Sequence, residues 1–172
     1  ITGATEGDVV QLATNGPIDE SISIDKSLTI EPASGFTPQL AATRIIDVSL
    51  SDPARTVTVR GLTLLNGDVQ VFTSGTTSHT VTVSDCTITQ TSPSTGSRGL
   101  DASIRSPATV TLAGNDITSN GYPLHAQTAI GTGAIAFHIE GNRIRKASVG
   151  NSATGLQLDF RGAFAITAAV RS

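Results

Sequence analysis

Apolar and polar residues alternate along most of this chain, and the alternation comes in phrases that repeat. "TVTVRGLTLLNG" (56–67), "TVTVSDCTITQT" (80–91) and "TVTLAGNDITSNG" (109–121) share one pattern, and "AFHIEGNRIRKA" (136–147) is a fainter copy. Each reads apolar, polar, apolar, then two or three bend residues, then polar and apolar again. The first apolar position falls at Val57, Val81, Val110 and Phe137, in steps of 24, 29 and 27 residues. "SISIDKSLTI" (21–30) is a looser version, and "GLQLDFRGAF" (155–164) keeps only the first half. A period of two predicts strands with one buried face. Two short strands joined by a bend and repeated at this spacing predict a coil that advances one strand spacing per turn. The expected fold is therefore all-β, a parallel β-helix of about six coils, with phrases stacked in parallel.

The register assigns columns. Val57, Val81 and Val110 stack inward, as do Leu64, Ile88 and Ile117, while the bend column reads Leu62, Cys86, Asn115, Asn142. An inward Asn at the bend can bond the backbone of neighbouring coils, and Cys86 in the same column reads as a small buried apolar residue. The outward columns are Thr58, Thr82, Thr111, His138, Gln157 and, beside them, Arg60, Ser84, Ala113, Glu140, Asp159. Past the bend come Thr63, Thr87, Asp116, Arg143 and then Leu65, Thr89, Thr118, Arg145. The surface thus turns from hydroxyl to ionic at residue 138. The stretches 31–44, 65–79, 92–107 and 118–133 read as loops.

The opening "GDVVQLATNGPIDESISIDKSLTI" (7–30) and the repeated phrases resemble the right-handed parallel β-helix proteins of the pectin-lyase-like superfamily. Members often begin with a Gly-Asp-apolar strand followed by a coil of the Ser-Ile-x-Ile-x-Lys-x-Leu-x-Ile kind. The resemblance covers nearly the whole chain and implies a right-handed coil. It implies no single reaction, because lyases, hydrolases, esterases, epimerases and non-catalytic surface proteins share this scaffold.

Composition narrows the partners. A net charge of −3 with 15% charged residues speaks against nucleic acid, which needs clustered Lys and Arg. No apolar run approaches the roughly 20 residues that span a bilayer. One cysteine excludes an intrachain disulfide and Cys-based zinc clusters. Abundant Thr, Ser, Gly and Ala suggest, by association, a secreted or cell-surface protein. The absence of an initiator Met leads us to expect a single domain over 1–172 that is a segment of something longer. "ITGATEG" is too short for a helical cap on the first coil, and the tail "AFAITAAVRS" (163–172) keeps a strand pattern without excluding helix. Uncapped ends would allow self-association.

The functional expectation is a non-catalytic structural or recognition module, with glycans as the candidate ligand class. The alternative is a polysaccharide lyase or glycoside hydrolase at the C-terminal coils. There Glu140 and Asp159 fall at equivalent outward positions, with His138 two residues away and Arg143 past the bend. Such carboxylates could share a proton, or hold Ca²⁺ if the protein is a lyase; otherwise no cofactor is expected. No lyase signature motif is present, and a solvated charged face with Arg pairing explains the same residues. For binding, Tyr122 and His125 in "SNGYPLHAQ" and Arg145, past the bend, are the candidates. His79, His125 and His138 share no metal-ligand spacing and read as surface residues. Thr columns could also order water as on ice-binding β-helices, but irregular coil steps argue against this.

Overall fold

The computed structural model describes residues 3–91, 97–128, 133–147, 155–161 and 166–171. The first coil holds β1 (Asp8–Leu12), β2 (Pro17–Ile18) and β3 (Ile22–Ile24), and the second β4 (Leu28–Pro32), β5 (Gln39–Leu40) and β6 (Ile46–Leu50). The third holds β7 (Thr56–Arg60), β8 (Thr63–Leu65) and β9 (Val69–Thr73), and the fourth β10 (His79–Ser84), β11 (Thr87–Gln90) and β12 (Arg98–Ile104). Then come β13 (Ala108–Ala113), β14 (Asp116–Ser119) and β15 (Tyr122–Thr128), and after them β16 (Ile135–Glu140), β17 (Arg143–Lys146) and β18 (Leu156–Phe160). Strand β19 (Ile166–Arg171) closes the series, so this part of the tail is strand, not helix.

Every third strand stacks in parallel on the last. A seven-stranded first face runs β1-β4-β7-β10-β13-β16-β19, and two six-stranded faces follow the same rule. The second face starts at β2 and the third at β3. The fold class is that expected: all-β, no helix among the described residues, parallel sheets wound as a solenoid. Six three-strand rounds are described, of which about four are regular turns. On the second face β2 and β5 are only two residues long, so the early coils are less regular than the central ones.

The columns read from the sequence hold for the four central phrases. Val81 lies between Val57 and Val110, Val110 pairs with Phe137, and Ile88 lies between Leu64 and Ile117. All of these are fully buried, because alternation turns every second side chain into the tube. Burial of branched aliphatic rows on three inner faces supplies the main stabilisation, about 25 cal/mol per Å² of apolar surface removed from water.

The bend between first and second faces has a simple cause. Gly61, Asp85, Gly114 and Gly141 occupy one position in successive coils, and all are left-handed, with φ between 54° and 68°. Glycine reaches this region without strain, and Asp tolerates it better than most residues. The next residue then points inward. Leu62 and Cys86 are buried there as apolar fillers, and burial pushes the Cys86 thiol up to about 11. Asn115 makes the expected ladder. Its Oδ1 accepts from Cys86 N at 3.0 Å, and its Nδ2 donates to Val83 O at 2.9 Å. Asn142 continues it, with Oδ1 accepting from Asn115 N at 3.0 Å and Nδ2 donating to Leu112 O at 2.7 Å.

Two phrases sit out of phase. In "SISIDKSLTI" the first half is β3 on the third face and the second half is β4 on the first. In "GLQLDFRGAF" the alternating half is β18, also on the third face. Both copies therefore straddle or precede the corner from third to first face, whereas the central phrases straddle the corner from first to second. Alternation alone does not distinguish the corners. The expected loops are partly strand as well: β9, β12 and β15 fall within 65–79, 92–107 and 118–133 and form a third wall.

Candidate functional site

The phase error separates the carboxylates expected to work together. His138 and Glu140 are exposed on β16, where their register partners are Thr111 and Ala113 on one side and Ala169 and Arg171 on the other. Asp159 lies on β18 of the third face, opposite Gln127, and its Oδ2 is 2.9 Å from Arg161 Nη2. Glu140 and Asp159 thus occupy different walls, and the paired-carboxylate and Ca²⁺ site expected of them is not formed. Arg143 and Arg145 are exposed on β17 of the second face. Arg145 donates to Asp116 Oδ1 at 2.5 Å and to Thr118 Oγ1 at 3.2 Å, so it braces the adjacent coil. No group of three metal-ligating side chains occurs among the described residues.

Tyr122 and His125 are on β15, not in a loop. His125 is buried, and so is His79; of the three histidines only His138 is exposed. The expectation of surface histidines fails for His125 because the third wall was read as loop, and for His79 because it opens β10 on the first face with its side chain buried. His125 Nδ1 sits 2.6 Å from Asp101 Oδ1, and its ring centroid is 6.2 Å from that of Tyr122. The other carboxylate oxygen of Asp101 is ion-paired with Arg98.

These contacts belong to a larger arrangement on the third face. In register, Asp47 stacks on Gln70, Gln70 on Asp101, Asp101 on His125 and His125 on Gln157. Along the corner between second and third faces runs a groove of about 490 Å³. Asn66, Asp68, Gln70, Gln90, Arg98 and Asp101 carry its chemistry. Apolar lining is slight, Ile45 being its one large aliphatic side chain.

Local backbone makes the groove. Thr43 and Asn66, both lining it, are left-handed, with φ of 68° and 51°. For a β-branched residue such as Thr43 that conformation is strained, and strain of this kind gathers at binding and catalytic sites. The next lining residue, Gly67, comes so close to the neighbouring coil that an added Cβ would lie 1.9 Å from Arg44 O. Any side chain there would push the coils apart, so glycine keeps the floor low.

The electrostatics are uneven. Asp101 is held by a guanidinium on one oxygen and an imidazole nitrogen on the other. Asp68 accepts a hydrogen bond from Gln70 Nε2 at 3.0 Å and has no ion-pair partner among the described residues. Burial pushes its carboxyl above the usual range, and the nearby Asp101 charge adds to that, against lowering by the Gln70 bond and Arg98. From the register, one strand spacing of about 4.8 Å and two residues of about 6.6 Å along the strand separate Asp68 from Asp101. Their backbones are then roughly 8 Å apart.

The sequence did hold a signal for these residues. "DVQVFT" (68–73), "LDASI" (100–104) and "LHAQT" (124–128) alternate, but inward Ala102, Ala126, Thr73 and Thr128 make the alternation look polar. Comparisons with protein-family models, with curated proteins and with solved structures give no match.

Proposed function

We propose that this chain is a glycan-recognition module of a secreted or cell-surface protein, and that the sugar lies in the groove on the third face. On this reading the coil is a right-handed β-helix of the pectin-lyase-like kind. The supporting observation is the groove itself: amides, carboxylates and one guanidinium line a cavity of about 490 Å³ carried by stacked strands. Sugar hydroxyls both donate and accept. Asn66 Nδ2 can donate to them and Gln70 Oε1 can accept, and carboxylates accept from vicinal hydroxyl pairs. A wall of parallel strands also holds its side chains in fixed rows, which lowers the ordering cost of binding.

Titration against a panel of oligosaccharides tests this. Gln70→Ala should weaken the best ligand about tenfold while leaving the fold intact by circular dichroism, since one or two neutral hydrogen bonds are worth about 1 kcal/mol. Absence of binding to any neutral, amino or uronic oligomer would overturn the proposal.

A second reading, hydrolysis, draws on the carboxylate pair. Two carboxylates of one groove, on neighbouring strands and with unlike partners, are what an acid–base pair of a glycosidase requires. Asp68 would protonate the leaving oxygen, and Asp101 would take a proton from the attacking water. Following product anomers by proton NMR tests it. Turnover with inversion, lost in Asp68→Asn and in Asp101→Asn, would favour it; binding without turnover would remove it.

A further inference from the structure

We propose that the groove selects cationic sugars, so that its preferred ligands are glycans with free amino groups. This deepens the recognition reading and rests on it. Of the two carboxylates lining the groove, Asp101 is already satisfied by Arg98 and His125. The Arg98 guanidinium, the one cationic group in the lining, is engaged with it. Asp68 accepts from the Gln70 amide, feels Arg98 only at longer range and has no ion-pair partner among the described residues, and Asp47 stacks on Gln70 one strand further down. The groove therefore carries more carboxylate than cation, and its least compensated charge is half-buried at Asp68.

A half-buried anion without a cation loses hydration that one amide does not replace. A ligand ammonium placed against Asp68 restores the balance; a neutral sugar supplies only hydroxyl donors, and a uronate adds a further negative charge. Charge complementarity of this kind fixes which ligand is accepted more than how tightly it is held. A cationic peptide is the competing source of an ammonium. It is disfavoured because peptide grooves offer apolar pockets for alternate side chains or an open strand edge, and here the lining is mainly polar, with Ile45 its one large aliphatic side chain.

The test compares four probes of equal length, oligoglucosamine, its fully N-acetylated form, oligogalacturonate and oligolysine, by calorimetric titration where the amine is protonated. The expected order is oligoglucosamine about tenfold or more above the N-acetylated form, with the uronate weakest. Asp68→Asn should bring the first two together, and Asp68→Glu should restore the difference. Equal affinity for the two forms, or a preference that survives Asp68→Asn, overturns the inference and leaves glycan recognition standing. Oligolysine binding as tightly as oligoglucosamine overturns the assignment to a sugar. No binding by any oligosaccharide overturns both proposals.

Discussion

The first and third faces are two walls of the same tube, built by the same alternation, yet their outer surfaces differ. The first face shows rows of short hydroxyls: Thr29, Thr58, Thr82 and Thr111 stack in one column, Thr56, Thr80 and Thr109 in another. The third face carries Asp47, Gln70, Asp101 and His125 in a single column, with a groove along its leading corner. Thr is what an exposed strand selects by β-propensity alone. A buried histidine joined to a carboxylate that also binds a guanidinium is a costlier arrangement, and propensity does not produce it. Inward rows hold the tube together on every wall; outward rows are free to differ, and the third face supplies the carboxylates and the amide Gln70 of the groove.

The strongest way to break this view is to find the inward rows unequal. Leu100, fully buried on the third face, should cost about 2–5 kcal/mol on truncation to Ala, the ordinary range for a core leucine. Urea unfolding of Leu100→Ala beside Val81→Ala gives the comparison, with the valine smaller in proportion to its volume. A third-face value near zero would mean that this wall is laid on the tube and not part of its core.

Asn115→Ala should come next, at about 2 kcal/mol. It leaves Cys86 N and Val83 O without their partner inside the bend. Hydrogen exchange at the Cys86 amide is the sensitive readout, and unchanged protection there would argue that the ladder follows the bend without holding it.

Much of this was legible in the residues. Register, bend and core followed from Val57, Val81, Val110 and the column Leu62-Cys86-Asn115-Asn142, because period two and a recurring bend leave few alternatives. The site did not follow. Asp159 was placed beside Glu140 because "GLQLDF" alternates like the central phrases, and a corner is set by backbone conformation that alternation does not encode. His125 looked exposed because its strand packs Ala126 and Thr128 inward, so no hydrophobic periodicity announced a wall.

Acid separates the corners. Asp52 is lowered to about 2 by the Thr77 hydroxyl and amide and then the Thr76 amide, and Glu6 to about 2 by Ser27 and then Arg55. Both link successive coils where the third face leads into the first. Lowered carboxyls stabilise fully above their unfolded values of 3.8 and 4.5, and that contribution fades as pH falls toward 2. Asp68 runs the other way: its raised carboxyl costs nothing below 3.8 and costs more as pH climbs through its folded value. The urea midpoint of Asp52→Asn should therefore vary less between pH 5 and 2 than that of the wild type, and Asp68→Asn should gain relative to it on going from pH 3 to 7. At the groove the same titration divides the two readings of Asp68, which is faced by Asp101 and Arg98 of β12 and by Gln70 of its own coil, with Asp47 on β6 below Gln70 and His125 on β15 beyond Asp101. Amine preference grows as it ionises; acid catalysis by it declines.

The smallest expected effect is on the first face. Thr82 and Thr111 point outward in mid-sheet, and no side-chain hydrogen bond joins them. Replacing both with Ala removes two hydroxyls and two methyl branches from a half-exposed row, so stability should change by less than about 1 kcal/mol in total. Oligosaccharide affinity should not change at all, since the groove lies on another wall. That pair is the control for the whole comparison. If Thr82→Ala with Thr111→Ala abolished sugar binding while Gln70→Ala did not, the hydroxyl columns would be the working surface, and the carboxylates of the third face would be bracing between coils, as Arg145 is for Asp116.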